Sequence, residues 1–123
     1  DILLAAATPE IPPGLPDEYR RAPLQVHPHI GATLARKEPV SVPDTRLEAW
    51  TPAEQGIVDI RNLASVIYVP LVSQERAVGV YITGATDHAF SFDTQVIDLC
   101  LTLANIAAVA IENARLFQDH RQR

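Results

Sequence analysis

Several side chains in this sequence could do chemistry, and their spacing decides which chemistry is worth testing. His27-Pro28-His29 sets two imidazoles two residues apart, as a shared metal ion or a haem iron would require. No third ligand stands nearby, since His88 and His120 lie in other segments. Ordinary surface or pocket histidines on a proline-rich loop are the simpler reading, and no metal is expected. Tyr68 and Tyr81 lie in two adjacent apolar runs. Each offers an apolar ring with a polar tip, suited either to the wall of a small-molecule pocket or to a cross-strand core pair. Cys100 is the only cysteine, which excludes a disulfide within the chain and a Cys-x-x-Cys metal site. It falls in a long apolar segment and reads as core. His120, in Asp119-His120-Arg121, lacks the residues that follow a kinase phosphohistidine and reads as a polar surface position. There is no Ser–His–Asp order, nucleophile elbow, Walker loop or metalloprotease motif. The residues point to a binding or regulatory domain, not to an enzyme.

The elements that must position these groups fit one domain of 123 residues. Nine of the ten prolines precede residue 53, so loops dominate the first half and regular structure the second. Ile2–Thr8 reads as a buried strand, and residues 9–30 as a long connection with at most one helical turn near Asp17–Arg21. Gly31–Arg36 reads as a short helix ended by Pro39, and Val40–Val42 as a short strand. Thr51-Pro52-Ala53-Glu54 is a helix start with Thr51 as N-cap, for a helix running to about Asn62. Leu63–Val72 and Ala77–Thr83 are strands joined by a tight turn at Gln74-Glu75. Both are apolar on both faces, so both faces of their sheet must be covered. Pairing Ser73 with Arg76 sets Tyr68 opposite Tyr81 and Pro70 opposite Gly79. Pro70, lacking an N–H, is expected on an edge or where its amide points away from a neighbour. From Asp93, the expected N-cap (or Ser91, one turn earlier), to His120 no Gly or Pro interrupts a helix of roughly 42 Å. Val96, Cys100, Leu103, Ala107, Ala110, Ala114 and Phe117 recur along it at steps of four and three, a coiled-coil seam expected to form a homodimer. Ile97, Leu101, Ala104, Ala108 and Ile111 make a second apolar face.

The order of these segments resembles the GAF domain family. Ser65-Val66-Ile67-Tyr68-Val69-Pro70-Leu71 matches a strand ending in Pro-Leu, and Val78-Gly79-Val80 the strand after it. Phe90-Ser91 matches the helix entry, and Ala104-Asn105-Ile106-Ala107 with Ala110-Ile111-Glu112-Asn113-Ala114-Arg115-Leu116 the helix. Leu34–Val40 with Asp44 resembles the mid-domain helix, turn and strand, so the likeness runs from about Ile30 onward. It implies an α/β (α+β) fold: a central antiparallel sheet, a long C-terminal helix packed on one face, and loops or short helices roofing the other. It also implies dimerisation through terminal helices and a regulatory role. The family's opening helix and strand are not visible, as if the chain were trimmed at its N-terminus or opened unusually.

On this resemblance, Asp44, Arg46 and Trp50 lie in the loop that roofs the pocket. Trp50 would stack on a planar ligand and Arg46 would pair with an anionic group; alternatively this is a surface loop anchored by Trp50. Tyr68, Tyr81 and His29 complete the expected ligand site. The family's cyclic-nucleotide pattern is absent. Cys100 does not occupy the position of a bilin-bearing cysteine, so no covalent bilin is expected. Residues 1–117 are expected to form the sensor domain and 118–123 the start of a linker helix leading to an output domain. The expected function is a sensor input domain of a histidine kinase or a cyclic-nucleotide or cyclic-dinucleotide enzyme, with a ligandless dimerisation scaffold as the alternative. The net charge of −5 and the absence of any Lys/Arg cluster argue against nucleic acid as a partner. No signal peptide is visible, and no run of eighteen apolar residues escapes a charge, so a cytoplasmic protein without membrane insertion is expected.

Overall fold

The structure, a computed structural model, describes residues 2–3, 21–89 and 91–121. The elements in chain order are β1 (Ile2–Leu3), β2 (Arg21–Ala22), α1 (Pro28–Arg36), β3 (Val40–Val42), a 3₁₀ turn (Thr45–Leu47), α2 (Pro52–Arg61), β4 (Ser65–Ser73), β5 (Arg76–Ala85) and α3 (Thr94–Arg121). β1 and β2 form a small antiparallel pair, and β3-β4-β5 an antiparallel three-stranded sheet. The strand expected over Ile2–Thr8 is present as Ile2–Leu3, and its remainder lies outside the described residues. The turn expected near Asp17–Arg21 lies largely outside them as well.

β4 is the spine. Residues 65–71 are all buried because β4 is covered on both faces, as its unbroken apolar run requires; β5, expected to be covered likewise, is an edge strand with Tyr81 and Ile82 exposed. Ile67, Val69 and Leu71 face α3, where Cys100, Ala104 and Ala108 pack on them. Val66 and Tyr68 face the other way, onto Ile30 of α1, Val42 of β3 and the partly buried Leu34, Trp50 and Val80. Ala108 and Ala104 are 0% and 1% exposed. Side chains this small let the helix axis come close to the strands.

The hairpin register differs from the expectation. Ser73 pairs with Arg76 and Val72 with Ala77, but Leu71 then pairs with Gly79, leaving Val78 as an extra residue. This bulge moves every later pair by one, so Tyr81 lies opposite Val69 and Tyr68 opposite Ile82. Tyr81 therefore belongs to the α3 face and Tyr68 to the α1 face. Pro70 is opposite Val80 on the central strand, two residues past Tyr68, the last partner of β3. On that side β4 is an edge by then, which accommodates a residue without an N–H.

α1 begins three residues earlier than expected. His27 is its N-cap and Pro28 occupies the first turn, where its fixed φ is already helical. His29 is thus on a helix, not in a loop. α3 starts where Asp93 caps it, its Oδ1 accepting from Val96 N at 2.9 Å. Thr94–Gln118 is long and apolar enough to cross a membrane by length and composition alone, a test that the core helix of a soluble protein also passes. Here one side of it is laid against the sheet.

Candidate functional site

On the α1 face three rings meet. His29 lies 4.5 Å from Trp50 between ring centroids, tilted by 38°, and 5.7 Å from Tyr68, stacked at 25°. A helix, a loop and the central strand each contribute one ring. Trp50 is fixed by its Nε1–H, which donates to Thr45 O at 2.9 Å. Thr45 in turn ties the loop to the start of β4: its N–H donates to Ala64 O at 3.0 Å and its Oγ1 to Leu63 O at 2.7 Å.

Beneath the rings is Glu54, 3% exposed. Its Oε1 accepts from Thr51 N at 3.1 Å, while Thr51 Oγ1 accepts from Glu54 N at 3.2 Å, closing a capping box at the start of α2. Its Oε2 accepts from His29 N at 3.2 Å and lies 2.6 Å from His29 Nδ1. With the carboxylate as acceptor, the Nδ1 proton faces Glu54 and the Nε2 edge turns towards Glu48 Oε2, 3.7 Å away. One buried carboxylate thus joins α1 to α2 and orients the imidazole. Burial pushes the Tyr68 phenol well above its ordinary range, and the Glu54 and Glu48 charges add to this, so the hydroxyl stays neutral. Burial also lowers His27, with Glu54 opposing the shift.

Of the expected ligand residues, His29, Trp50 and Tyr68 come together. Tyr81 is on the opposite face of the sheet and 38% exposed. Asp44 caps the 3₁₀ turn by accepting from Arg46 N, and the Arg46 side chain doubles back on it, Nε to Oδ1 at 3.0 Å and Nη2 to Oδ2 at 2.9 Å. The two hold each other below and above their ordinary ranges respectively. Neither Glu54 nor Glu48 stands out in the sequence as a site residue. The Thr51-x-x-Glu54 spacing announced the cap, but not that the second carboxylate oxygen would reach α1, 25 residues away.

The expected seam of α3 is divided between two faces. Cys100 is buried on the sheet, and the partly buried Val96 and Ala107 pack beside it. Leu103, Ala110, Ala114 and Phe117 are exposed. The outward apolar stripe is Leu99, Leu103, Ile106, Ala110 and Phe117, with Asn113 interrupting it; the steps are again four and three. The physical reason is that the sheet takes the side bearing the small residues, rotating the outward stripe by part of a turn.

Residues 4–112 match the family model for the GAF domain. No curated protein matches the sequence. Among solved structures, the domain of a putative two-component sensor histidine kinase from Sinorhizobium meliloti 1021 is 23% identical, with a TM-score of 0.61 over 68% of this chain and 57% of that one. The blue-light-absorbing form of the PixJ GAF domain from Thermosynechococcus elongatus is 15% identical, with a TM-score of 0.66 over 92% of this chain and 68% of that one. The GAF domain of a phosphoenolpyruvate-protein phosphotransferase from Coxiella burnetii is 23% identical, with a TM-score of 0.61 over 73% and 52%. The chain spans a little over half the length of the first of these structures.

Proposed function

The chain belongs to the GAF domain family, a family of regulatory domains, and on that premise we propose that it is the sensory input domain of a signal-transduction protein. A small molecule binds at the His29–Trp50–Tyr68 cluster, and α3 passes the result to an output domain such as a histidine kinase or a cyclic-nucleotide or cyclic-dinucleotide enzyme. The observation that carries this reading is the double duty of β4. Tyr68 touches His29 on one face, while its neighbours Ile67 and Val69 hold α3 on the other. A ligand that moves the rings is one strand away from the helix, and packed interfaces of this kind switch between discrete arrangements. The sensor-kinase and light-absorbing relatives support the same direction. In this reading the domain is not itself catalytic, acts in the cytoplasm, spans residues 1–117 before a linker helix, and dimerises through the outward stripe of α3.

A thermal-shift screen of nucleotides, cyclic dinucleotides and planar metabolites tests it. A ligand at 100 times its Kd stabilises by about 2.7 kcal/mol, and Trp50→Ala should abolish the shift. A hit that Trp50→Ala leaves intact places the ligand elsewhere. The second reading, a ligandless dimerisation scaffold, is favoured by one observation: His29, Trp50 and Tyr68 already pack against each other. It prevails if no compound raises the Tm.

A further inference from the structure

On the α3 side of the sheet, the β4–β5 turn and the C-terminal half of α3 enclose a groove of about 400 Å³. Val109 and Leu116 form an apolar strip along it, and Ser73, Gln74 and Asn105 supply hydroxyl and carboxamide oxygens. Glu112 is the one ionisable side chain among its described lining residues. Its Oε1 receives a long 3.4 Å bond from Arg115 Nη2, and its Oε2 is buried without a hydrogen-bond partner. A buried carboxylate oxygen lacking a donor is costly, and the groove is where a donor can enter. The last torsion of a glutamate is broad and roughly two-fold, so the carboxylate can turn towards the groove within its rotamer.

We propose that this groove binds a small organic cation, a guanidinium or ammonium group on a short aliphatic stem. The head pairs with Glu112, Asn105 and Gln74 offer further acceptors, and the stem lies along Val109 and Leu116. An anion would meet the Glu112 charge. A divalent metal ion needs more charged oxygens than one carboxylate supplies, and no group of three His, Cys, Asp or Glu gathers among the described residues. The volume suits a small ligand. The site is separate from the His29 cluster, across the sheet, and its occupant would bridge the hairpin turn to α3.

The test is an NMR titration of the whole chain with n-butylguanidinium and with N-butylurea, its neutral planar counterpart, following the Asn105 side-chain amide and the Val109 methyls. Saturable shifts are expected with the cation, and binding of the urea about tenfold weaker or less. Glu112→Gln should erase the difference, and Asn105→Asp, which adds a second carboxylate, should tighten the cation. Equal binding of the two compounds, no saturable shift, or a cation affinity unchanged in both variants overturns the proposal. If Glu112→Gln fails to fold, Asn105→Asp decides alone.

Discussion

The Glu54 carboxylate serves donors from two elements at once, Thr51 N on its own helix and His29 N and Nδ1 on α1. Glu54→Ala leaves these groups without their acceptor in a buried place. It should cost about 2–3 kcal/mol in urea unfolding and loosen the packing of His29 against Trp50, read as a change in Trp50 fluorescence. His27 supplies a pH dependence. Burial holds its folded pKa below the ordinary 6.5, so the unfolded chain binds the proton more readily. Its contribution is fully present above pH 6.5 and is lost as the pH falls through 6.5 towards the folded value. Stability measured between pH 7.5 and 5.5 should therefore decline on acidification, and His27→Gln should flatten that slope. Legibility differed sharply among these residues. His29, Trp50 and Tyr68 stand out by type, but Glu54 can be seen only as a cap, because its second bond depends on the first turn of α1 coming up to the first turn of α2.

At the scale of elements, the β4–β5 hairpin shows how local chemistry and pairing diverge. Gln74 and Glu75 take left-handed conformations, with φ of 52° and 67°, and make the expected two-residue turn. The bulge at Val78 then decides which tyrosine faces which side. Nothing in an apolar run such as Ala77-Val78-Gly79-Val80 marks the residue to be left unpaired. Further along β5, Gly84 is opposite Val66, and a Cβ there would run into the backbone carbonyl oxygen of Ser65. Backbone cannot swing aside as a flexible side chain can. Gly84→Ala should lower stability by about 2–3 kcal/mol, with amide exchange accelerated first at the β4 and β5 ends near Ser65 and Ala85.

The described residues form a sheet with two unequal covers, α1 and the Trp50 loop on one face and α3 on the other. α3 has two sides: Cys100, Ala104 and Ala108 hold the sheet, while Ile106, 64% exposed, and Leu103 point outward. Substitutions on the two sides should therefore part company. Ile106→Glu should turn a dimer into a monomer in light scattering with little change in protomer stability. Ala108→Leu should cost about 1–3 kcal/mol by overpacking. If the unsubstituted chain is already a monomer, or if Ile106→Glu leaves a dimer's mass unchanged, the proposed dimer contact through the outward stripe is overturned.

Periodicity, caps and turn residues in the sequence determined the β4–β5 hairpin, the helices α1, α2 and α3 and the uninterrupted length of α3, while the fold class came from the resemblance that the order of these segments bears to the GAF family. Those features depend on neighbours within a few residues, where φ preferences, caps and side-chain spacing act directly. The tertiary structure decided which of two apolar faces of α3 lies on the sheet, which face of the sheet each tyrosine occupies, and that Glu54 reaches His29. Each of these is a choice between nearly equivalent local options. It is settled by long-range packing: the close approach that Ala104 and Ala108 permit, the one-residue offset at Val78, and the meeting of the first turns of α1 and α2 at His29 and Glu54.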